Sequence, residues 1–203
     1  KNYDLVSQDV TIIVAKRNVT VNASDLTITY GDPDLSKAGI TFENLAECDS
    51  VKSDNWVNGS QFEINYNSEW QSYAVLAGNG YLPAGTYDMR IASFGGSADT
   101  NNTFTLNTSN AKLTVSPKVI SYTAAAADRE YNGTTVVDVT LTYASGLVGA
   151  DEITVTSAVK GNTDDANVGS SKKVTVDDAT ITLAGARASS YKAVIANKDS
   201  LTV

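Results

Sequence analysis

The stretch that decides the fold class is Val137-Asp138-Val139-Thr140-Leu141-Thr142-Tyr143, in which apolar and polar side chains alternate at every step. Successive side chains of a β-strand point to opposite faces, so this pattern predicts a strand with one buried face and one wet face. The same alternation runs through residues 62–67 and 87–92. Polar turns separate these segments, an arrangement that is typical of antiparallel sheets with one solvated face.

Composition extends this prediction to the whole chain. The sequence holds 23 Thr and 21 Val against a single Met, and β-branched side chains suit a pleated surface better than a helix. We therefore expect an all-β protein. Residues 34–45 and 68–77 are the two segments in which a helix competes with a strand, although Gly39 interrupts the first and Tyr73 and Val75 favour a strand in the second.

Charge and residue composition limit the classes of function that we expect of the chain. Fifteen basic against 23 acidic side chains give a net charge of −8, which disfavours nucleic acid because phosphate contacts need clustered Lys and Arg. Histidine is absent, and with it the commonest general base and every Ser/His or Cys/His nucleophile pair. No apolar run reaches the length of a membrane span. We expect a non-catalytic protein with no cofactor, no nucleic-acid partner and no membrane insertion in this segment.

An internal repeat organises the chain. Val14 and Val115 each close a strand-like segment, and Tyr30 and Tyr131 each open a glycine-containing turn; both pairs are 101 residues apart. A glycine also recurs before the closing strands, within residues 83–87 and again within 167–170. Repeats of about 90 to 100 residues are tandem domains rather than solenoid repeats of about 20 to 50 residues.

These spacings predict two domains joined near Pro117, a residue that lacks a ladder donor and suits a junction. We call residues 1–116 the N-terminal unit and residues 117–203 the C-terminal unit. Residues 1–15 either complete the first unit or are the closing strands of an upstream repeat. The expected architecture is two tandem antiparallel β domains, of immunoglobulin-like sandwich or β-grasp type, arranged end to end.

Turn motifs in both units carry a resemblance to known domains. The Tyr30-Gly31-Asp32-Pro33 turn, the Pro83 to Tyr87 strand start and the closing segment 113–117 resemble the MBG domain of bacterial surface adhesins. The segment 129–135, Arg-Glu-Tyr-Asn-Gly-Thr-Thr, and the later residues 167–169 are similar to the related YDG domain. Asn132 stands where the YDG name expects aspartate, and both residue types suit such a turn.

The resemblance implies a tandem module of a secreted, surface-attached bacterial protein that acts in adhesion, through mucin or host glycans, and as a stalk. Its partners would then be glycans and neighbouring repeats of the same chain. The alternative is a passive spacer, or an accessory carbohydrate-binding module, within a secreted hydrolase. The matched turn residues are expected to be structural, with the rings of Tyr30 and Tyr131 buried at the end of a sheet. They are Tyr30, Gly31, Asp32, Tyr131, Asn132 and Gly133.

The candidate glycan-binding residues are aromatic and cluster in the middle of the N-terminal unit. They are Trp56, Trp70, Tyr73 and Tyr81. Exposed aromatic rings stack on sugars, whereas Trp and Tyr in a domain of this size are more often buried, so core packing is the competing interpretation.

Metal and covalent chemistry have weaker support. Calcium could be considered at Asp32, Asp34 and the pairs 164–165 and 177–178, but none has EF-hand spacing, and no metal is predicted. Cys48 is expected to be a small buried hydrophobe. A Lys–Asn cross-link is conceivable in a stalk, but no spacing in the sequence identifies a pair.

Overall fold

The chain folds into β-strands, as the alternation predicts. The computed structural model describes residues 10–32, 35, 39–49, 61–78, 81–96, 99–107 and 111–203. The strands of the N-terminal unit are β1 Arg17–Ala23, β2 Leu26–Thr29, β3 Ile40–Glu43, β4 Gln61–Tyr66, β5 Glu69–Ser72, β6 Gly85–Ser93, β7 Asn102–Leu106 and β8 Ala111–Ser116. Those of the C-terminal unit are β9 Lys118–Ala126, β10 Val136–Ser145, β11 Thr154–Val155, β12 Lys160–Thr163, β13 Val174–Thr175, β14 Leu183–Ala184 and β15 Tyr191–Ile195.

Helix is a minor component. Among the described residues, α-helix α1 Tyr73–Gly78 follows β5, so the segment 68–77 divides between strand and helix. The other segment in which a helix was considered, 34–45, contains strand β3. Within the described ranges no helix is long and apolar enough to cross a membrane. The all-β prediction is therefore confirmed.

The described sheets are mixed, and most of their neighbouring strands are antiparallel. Two sheets, ordered β3-β1-β7 and β2-β8-β6-β4-β5, precede Pro117, and two, ordered β13-β12-β10-β9-β15 and β11-β14, follow it. In the described part of the chain, eight strand pairs are antiparallel, and β1–β7, β2–β8 and β9–β15 are parallel. Parallel pairing needs a long connection, and here the whole intervening unit supplies it.

The sequence repeat has a counterpart in this topology. The first strand of each unit, β1 and β9, pairs in parallel with a strand near the end of the same unit, β7 and β15. Arg17 and Lys118, the first residues of these strands, are 101 residues apart, which is the offset of the sequence repeat. The division into two domains at residue 117 remains a prediction.

The apolar core crosses Pro117. One cluster of buried residues lies within the N-terminal unit around Val21, Ile91 and Phe94, and another within the C-terminal unit around Val137 and Val174. The largest cluster joins both. Its buried members are Ile28, Tyr30, Ile64, Tyr73, Leu76, Leu82, Met89, Ala111, Leu113 and Val115 from the N-terminal unit, and Ile120, Tyr122, Val148, Tyr191 and Ala193 from the C-terminal unit. We call this continuous contact region the junction.

Candidate functional site

Tyr30 reaches the junction because strand β2 runs beside the last strand of its own unit. β2 pairs in parallel with β8 as far as Thr29 and Ser116, and the backbone N–H of Tyr30 then donates to the Ser116 carbonyl at 2.9 Å. The Tyr30 side chain is 1 % exposed. Its ring is thereby held at the point where the chain passes from the first unit to the second.

Gly31 lets the second unit approach closely. Its φ of +84° lies in the left-handed region, which glycine adopts without a steric penalty. A Cβ at this position would lie 2.5 Å from Cγ2 of Val148 in the C-terminal unit. The glycine of the first turn motif is therefore required by both its backbone angle and its neighbour across the junction.

Asp151 links the two units through tyrosine hydroxyls. The Tyr30 hydroxyl donates to Oδ2 of Asp151 at 2.8 Å, and the Tyr191 hydroxyl donates to the same oxygen at 2.6 Å. The Tyr191 oxygen also accepts from the backbone N–H of Val148 at 2.9 Å. Hydrogen bonds to an ionised carboxylate are stronger than neutral ones. This network joins strand β2 to the loop after β10 and to the start of β15.

The two tyrosine rings also touch. Tyr30 and Tyr191 meet edge to face, with ring centroids 5.3 Å apart and an interplanar angle of 83°. This is a preferred aromatic geometry that adds about 0.5 to 1.5 kcal/mol beyond area burial. The two rings therefore pack against each other beside the Asp151 carboxylate that their hydroxyls share. The contact between Tyr30 and Tyr191 thus has an apolar part and a polar part.

Local structure places the C-terminal partners of Tyr30. The Asp151 N–H donates to the Val148 carbonyl at 3.1 Å, which closes a turn and brings the carboxylate beside the valine. Tyr191 follows a 3-10 turn at Ala188–Ser190 and pairs with Lys118 at the start of β9. The Asp151 carboxylate and the Tyr191 side chain therefore both lie at the end of the C-terminal unit that faces the first unit.

Burial and hydrogen bonding keep these hydroxyls neutral. Burial, and then the hydrogen bond to Asp151, raise the pKa of Tyr30 to about 12. The same two causes raise the pKa of Tyr191 further above the ordinary tyrosine value. Because the folded state prefers the protonated tyrosines, their contribution to stability is complete below pH 10 and is lost as the pH rises above it.

A second polar contact crosses the junction. The backbone N–H of Ala84 donates to Oγ of Ser190 at 3.0 Å, and the serine is fully buried. Leu82, two residues before Ala84, is 2 % exposed and belongs to the shared core. The loop before β6 therefore packs against the C-terminal unit beside the Tyr30 turn.

Two of the predicted glycan-binding residues belong to this junction. Tyr73 is 6 % exposed, and its hydroxyl donates to the Asp32 carbonyl. Burial raises its pKa to about 12. Tyr81 is partly buried against the shared core and meets the Tyr30 ring edge to face at 6.3 Å. Neither ring is positioned as a free stacking surface, and the competing interpretation of core packing describes their placement.

Trp70 has a different environment. It lies half-buried on β5, and the Arg90 guanidinium stands over its ring, 4.2 Å from the centroid. Glu63 accepts from Nε and Nη2 of Arg90 at 2.9 and 2.6 Å, which fixes the guanidinium in place. One ring face is thus covered by a held cation. Trp56 lies outside the described residues, and glycan binding stays a prediction.

The second turn motif differs from the first in exposure. Asn132 accepts from the Thr134 N–H at 3.1 Å and from Nη1 of Arg129 at 2.5 Å, and Gly133 has a φ of +77°. The motif is a turn, as predicted. Tyr131, however, is 66 % exposed, so the expectation that its ring is buried is wrong. It lacks the cover that the C-terminal unit gives Tyr30.

The acidic pairs at residues 164–165 and 177–178 interact with neighbouring loops. Lys172 contacts Asp165, and this hydrogen bond lowers the pKa of the carboxyl group. Burial of Asp178 opposes ionisation, but hydrogen bonds from Lys198 and the Ile195 N–H outweigh it and lower the pKa. Asp177 caps a 3-10 turn. Among the described residues, no group of three His, Cys, Asp or Glu side chains could hold a metal ion. Asp34 lies outside these residues.

Cys48 is exposed, so the expectation of a buried thiol is wrong for this residue. It belongs to a 3-10 turn at Glu47–Asp49, where the neighbouring Asp49 is buried instead and accepts from Nδ2 of Asn102 at 2.9 Å. A short turn that buries its polar member for a hydrogen bond directs the adjacent thiol outwards.

Comparison with known proteins identifies one domain. The model of the YDG domain matches residues 116–200, which span the second turn motif and the C-terminal side of the junction. A YDG domain is thus present in this part of the chain, as the resemblance predicts for it. Neither the curated proteins nor the solved structures contain a significant match to the chain.

Proposed function

We propose that this chain is a non-catalytic repeat module of a secreted or surface-anchored bacterial protein, in which it acts as a stalk and takes part in adhesion. In this proposal residues 1–116 are an MBG-like unit that precedes the YDG domain. The observation that carries the proposal is the junction network, in which Tyr30 of one unit and Tyr191 of the other share the carboxylate of Asp151.

A stalk has to transmit force and orientation between consecutive units. A flexible linker would allow each unit to pivot, whereas a buried interface with fixed polar contacts opposes rotation. Three kinds of contact support such a joint here: the Tyr30 ring against Tyr191, the hydroxyl pair on Asp151, and the Ala84 N–H on Ser190. Their directions are fixed by geometry, so the relative angle of the units would be fixed as well.

Residual dipolar couplings measured on the full chain test the stalk. A coupled joint gives one alignment tensor for amides of β4 and β6 and for amides of β9 and β10. In Asp151→Ala, we expect two different tensors, because the carboxylate that holds both tyrosines is gone. Glu152→Ala, which removes the adjacent exposed carboxylate, should keep a single tensor. Two tensors in the unaltered chain would exclude a stiff joint.

Adhesion rests on Trp70 together with Trp56. The guanidinium that Glu63 holds over Trp70 forms a combined ring and cation surface, which is the contact that we assign to a sugar ring. A weak site of this kind would gain avidity through repetition along a stalk.

Immobilised mucin and a glycan array, probed with the full chain, test the adhesive part. Saturable binding that is lost in Trp70→Ala and in Trp56→Ala would support it. Tyr143→Ala, which removes a 45 % exposed aromatic residue from the C-terminal unit, serves as the matched control. Absence of binding at high surface density would leave the alternative, a passive spacer in a larger surface protein or secreted hydrolase.

A further inference from the structure

One end of the C-terminal unit resembles the surface with which the N-terminal unit contacts it. In the structure this end is exposed, whereas the surface of the N-terminal unit is buried. Tyr30 and Tyr131 are repeat counterparts, 101 residues apart, and Ala84 and Val168 each precede the glycine that recurs before the closing strands. Tyr30 is 1 % exposed and the Ala84 N–H is bonded to Ser190, whereas Tyr131 is 66 % and Val168 86 % exposed.

Topology places these counterparts at equivalent ends of the two units. In the N-terminal unit, Tyr30 lies beside Ser116, and β6 begins with Gly85 opposite Val115, so both contacts lie where the chain leaves the unit. In the C-terminal unit, β9 runs from the junction at Lys118 to Ala126, and β10 returns with Ser145 opposite Ser121. The turn that joins β9 to β10 therefore lies at the end away from the junction.

The two repeated segments meet at that far end. Tyr131 and Val168 line one cavity of about 490 Å³ together with Lys172 and the last residue, Val203. Val203 exchanges backbone hydrogen bonds with Lys172, and Val115 pairs in the same antiparallel way with Gly85. We call the surface formed by Tyr131, Val168, Lys172 and Val203 the distal surface.

We propose that the distal surface is a docking site for a further YDG unit. That unit would bind there in the way that the C-terminal unit packs against Tyr30 at the junction. The occupant to which this commits is a second copy of residues 116–203, presenting its own Asp151 and Tyr191. The proposal rests on the proposed stalk function, because it extends the same joint to the next unit.

The chemistry of the distal surface suits this occupant. The Tyr131 hydroxyl is available as a donor to a carboxylate, the role that Tyr30 has toward Asp151 at 2.8 Å. Val168 offers exposed apolar area beside it. The cavity lining carries charge of both signs, because Arg129 and Lys172 lie beside Asp128, Glu130 and Asp165, and Lys172 is paired with Asp165.

The test is a longer chain in which residues 116–203 follow Val203 directly. The new sequence Val203-Ser-Pro-Lys then reproduces the native Val115-Ser116-Pro117-Lys118. Tyr131→Phe is introduced in the added copy, so that only the original Tyr131 can be nitrated at this position of the repeat. Nitration by tetranitromethane, followed by mass spectrometry, measures its accessibility, and Tyr143, which is 45 % exposed, is the internal control.

Docking predicts that Tyr131 is nitrated about tenfold more slowly in the longer chain than in the 203-residue chain, while the rate at Tyr143 is unchanged. The combination Asp151→Ala and Tyr191→Phe in the added copy should restore the fast rate. Equal rates at Tyr131 in the two chains would overturn the proposal. If the dipolar couplings of the unaltered chain still give one tensor, that failure would concern the distal surface alone and would leave the stalk proposal intact.

Discussion

The Tyr30 hydroxyl and the Asp151 carboxylate are 121 residues apart in the sequence and 2.8 Å apart across the junction. Tyr30 belongs to a turn whose residues also mark the repeat, whereas Asp151 belongs to the YDG domain that follows. The side chain of a turn residue in one unit therefore finds its hydrogen-bond acceptor in the next unit. This relationship explains why Tyr30 is buried and its repeat counterpart Tyr131 is exposed.

Removing the tyrosine hydroxyls one at a time tests how the network is shared. Tyr30→Phe and Tyr191→Phe should each lower the free energy of unfolding by about 0.5 to 1.5 kcal/mol, since Asp151 retains one donor in each case. The double variant should lose more than the sum, because the part-buried carboxylate then lacks both donors. Urea unfolding measures all three. Tyr131→Phe is the matched control and should stay within about 0.5 kcal/mol of the unaltered chain; strict additivity would argue against a shared acceptor.

The two turn glycines separate backbone strain from contact across the junction. Gly31→Ala and Gly133→Ala both force a non-glycine residue to a positive φ, which costs about 1 to 2 kcal/mol. Only Gly31→Ala also drives a Cβ to within 2.5 Å of Val148; at Gly133 the nearest side-chain atom is 4.0 Å away. We expect Gly31→Ala to be the more destabilising in thermal unfolding by about 1 to 3 kcal/mol. Equal losses would mean that Val148 does not restrict the turn.

Alkaline titration tests the buried hydroxyls. The pKa values of Tyr30 and Tyr73 are raised to about 12 and that of Tyr191 is raised further, so these three should ionise after the exposed tyrosines. Because the folded state holds these protons, stability should fall as the pH rises above 10. Tyrosinate absorbance at 295 nm should show a late phase that shrinks by one tyrosine in Tyr30→Phe. A single ordinary transition would contradict the network.

Acid titration tests a contact away from the junction. Burial opposes ionisation of Asp178, but Lys198 and the Ile195 N–H outweigh it, and the pKa of Asp178 is lowered. The contribution to stability is present above the ordinary aspartate pKa and is lost as the pH falls through the lowered value. Asp178→Asn should therefore flatten the acid limb of the stability curve measured by urea unfolding. An unchanged acid limb in Asp178→Asn would show that the contact does not couple folding to pH.

The strands could be predicted from sequence because their signal is local. Alternation identified β4, β6 and β10, and the excess of Thr and Val identified the all-β class. Parallel pairing of β1 with β7 and of β9 with β15 could not be predicted, because it depends on which distant strands become neighbours. The turn at Tyr30 was recognisable from its residues and its repetition, although its acceptor, Asp151, was not.

The candidate site was harder to predict for the same reason. Asp151 stands at the end of a Gly-rich turn, and nothing local in the sequence separates it from the other acidic residues. Tyr73 and Tyr81 were interpretable either as sugar-stacking or as core residues, and burial beside Tyr30 decides their placement. The exposure of Tyr131 could not be predicted from its motif, because the similar motif at Tyr30 is buried by residues that are distant in the sequence.

The central claim is that the junction couples the two units, and the tryptophans allow it to be tested directly. Trp56 and Trp70 both lie in the N-terminal unit, so tryptophan fluorescence during urea unfolding reports on that unit, while Asp151 belongs to the other. We expect Asp151→Ala to lower the urea midpoint of the tryptophan signal, and Glu152→Ala to leave it unchanged. An unchanged tryptophan midpoint in Asp151→Ala, with a shift only in the far-ultraviolet circular dichroism, would show that the units fold independently and contradict the claim.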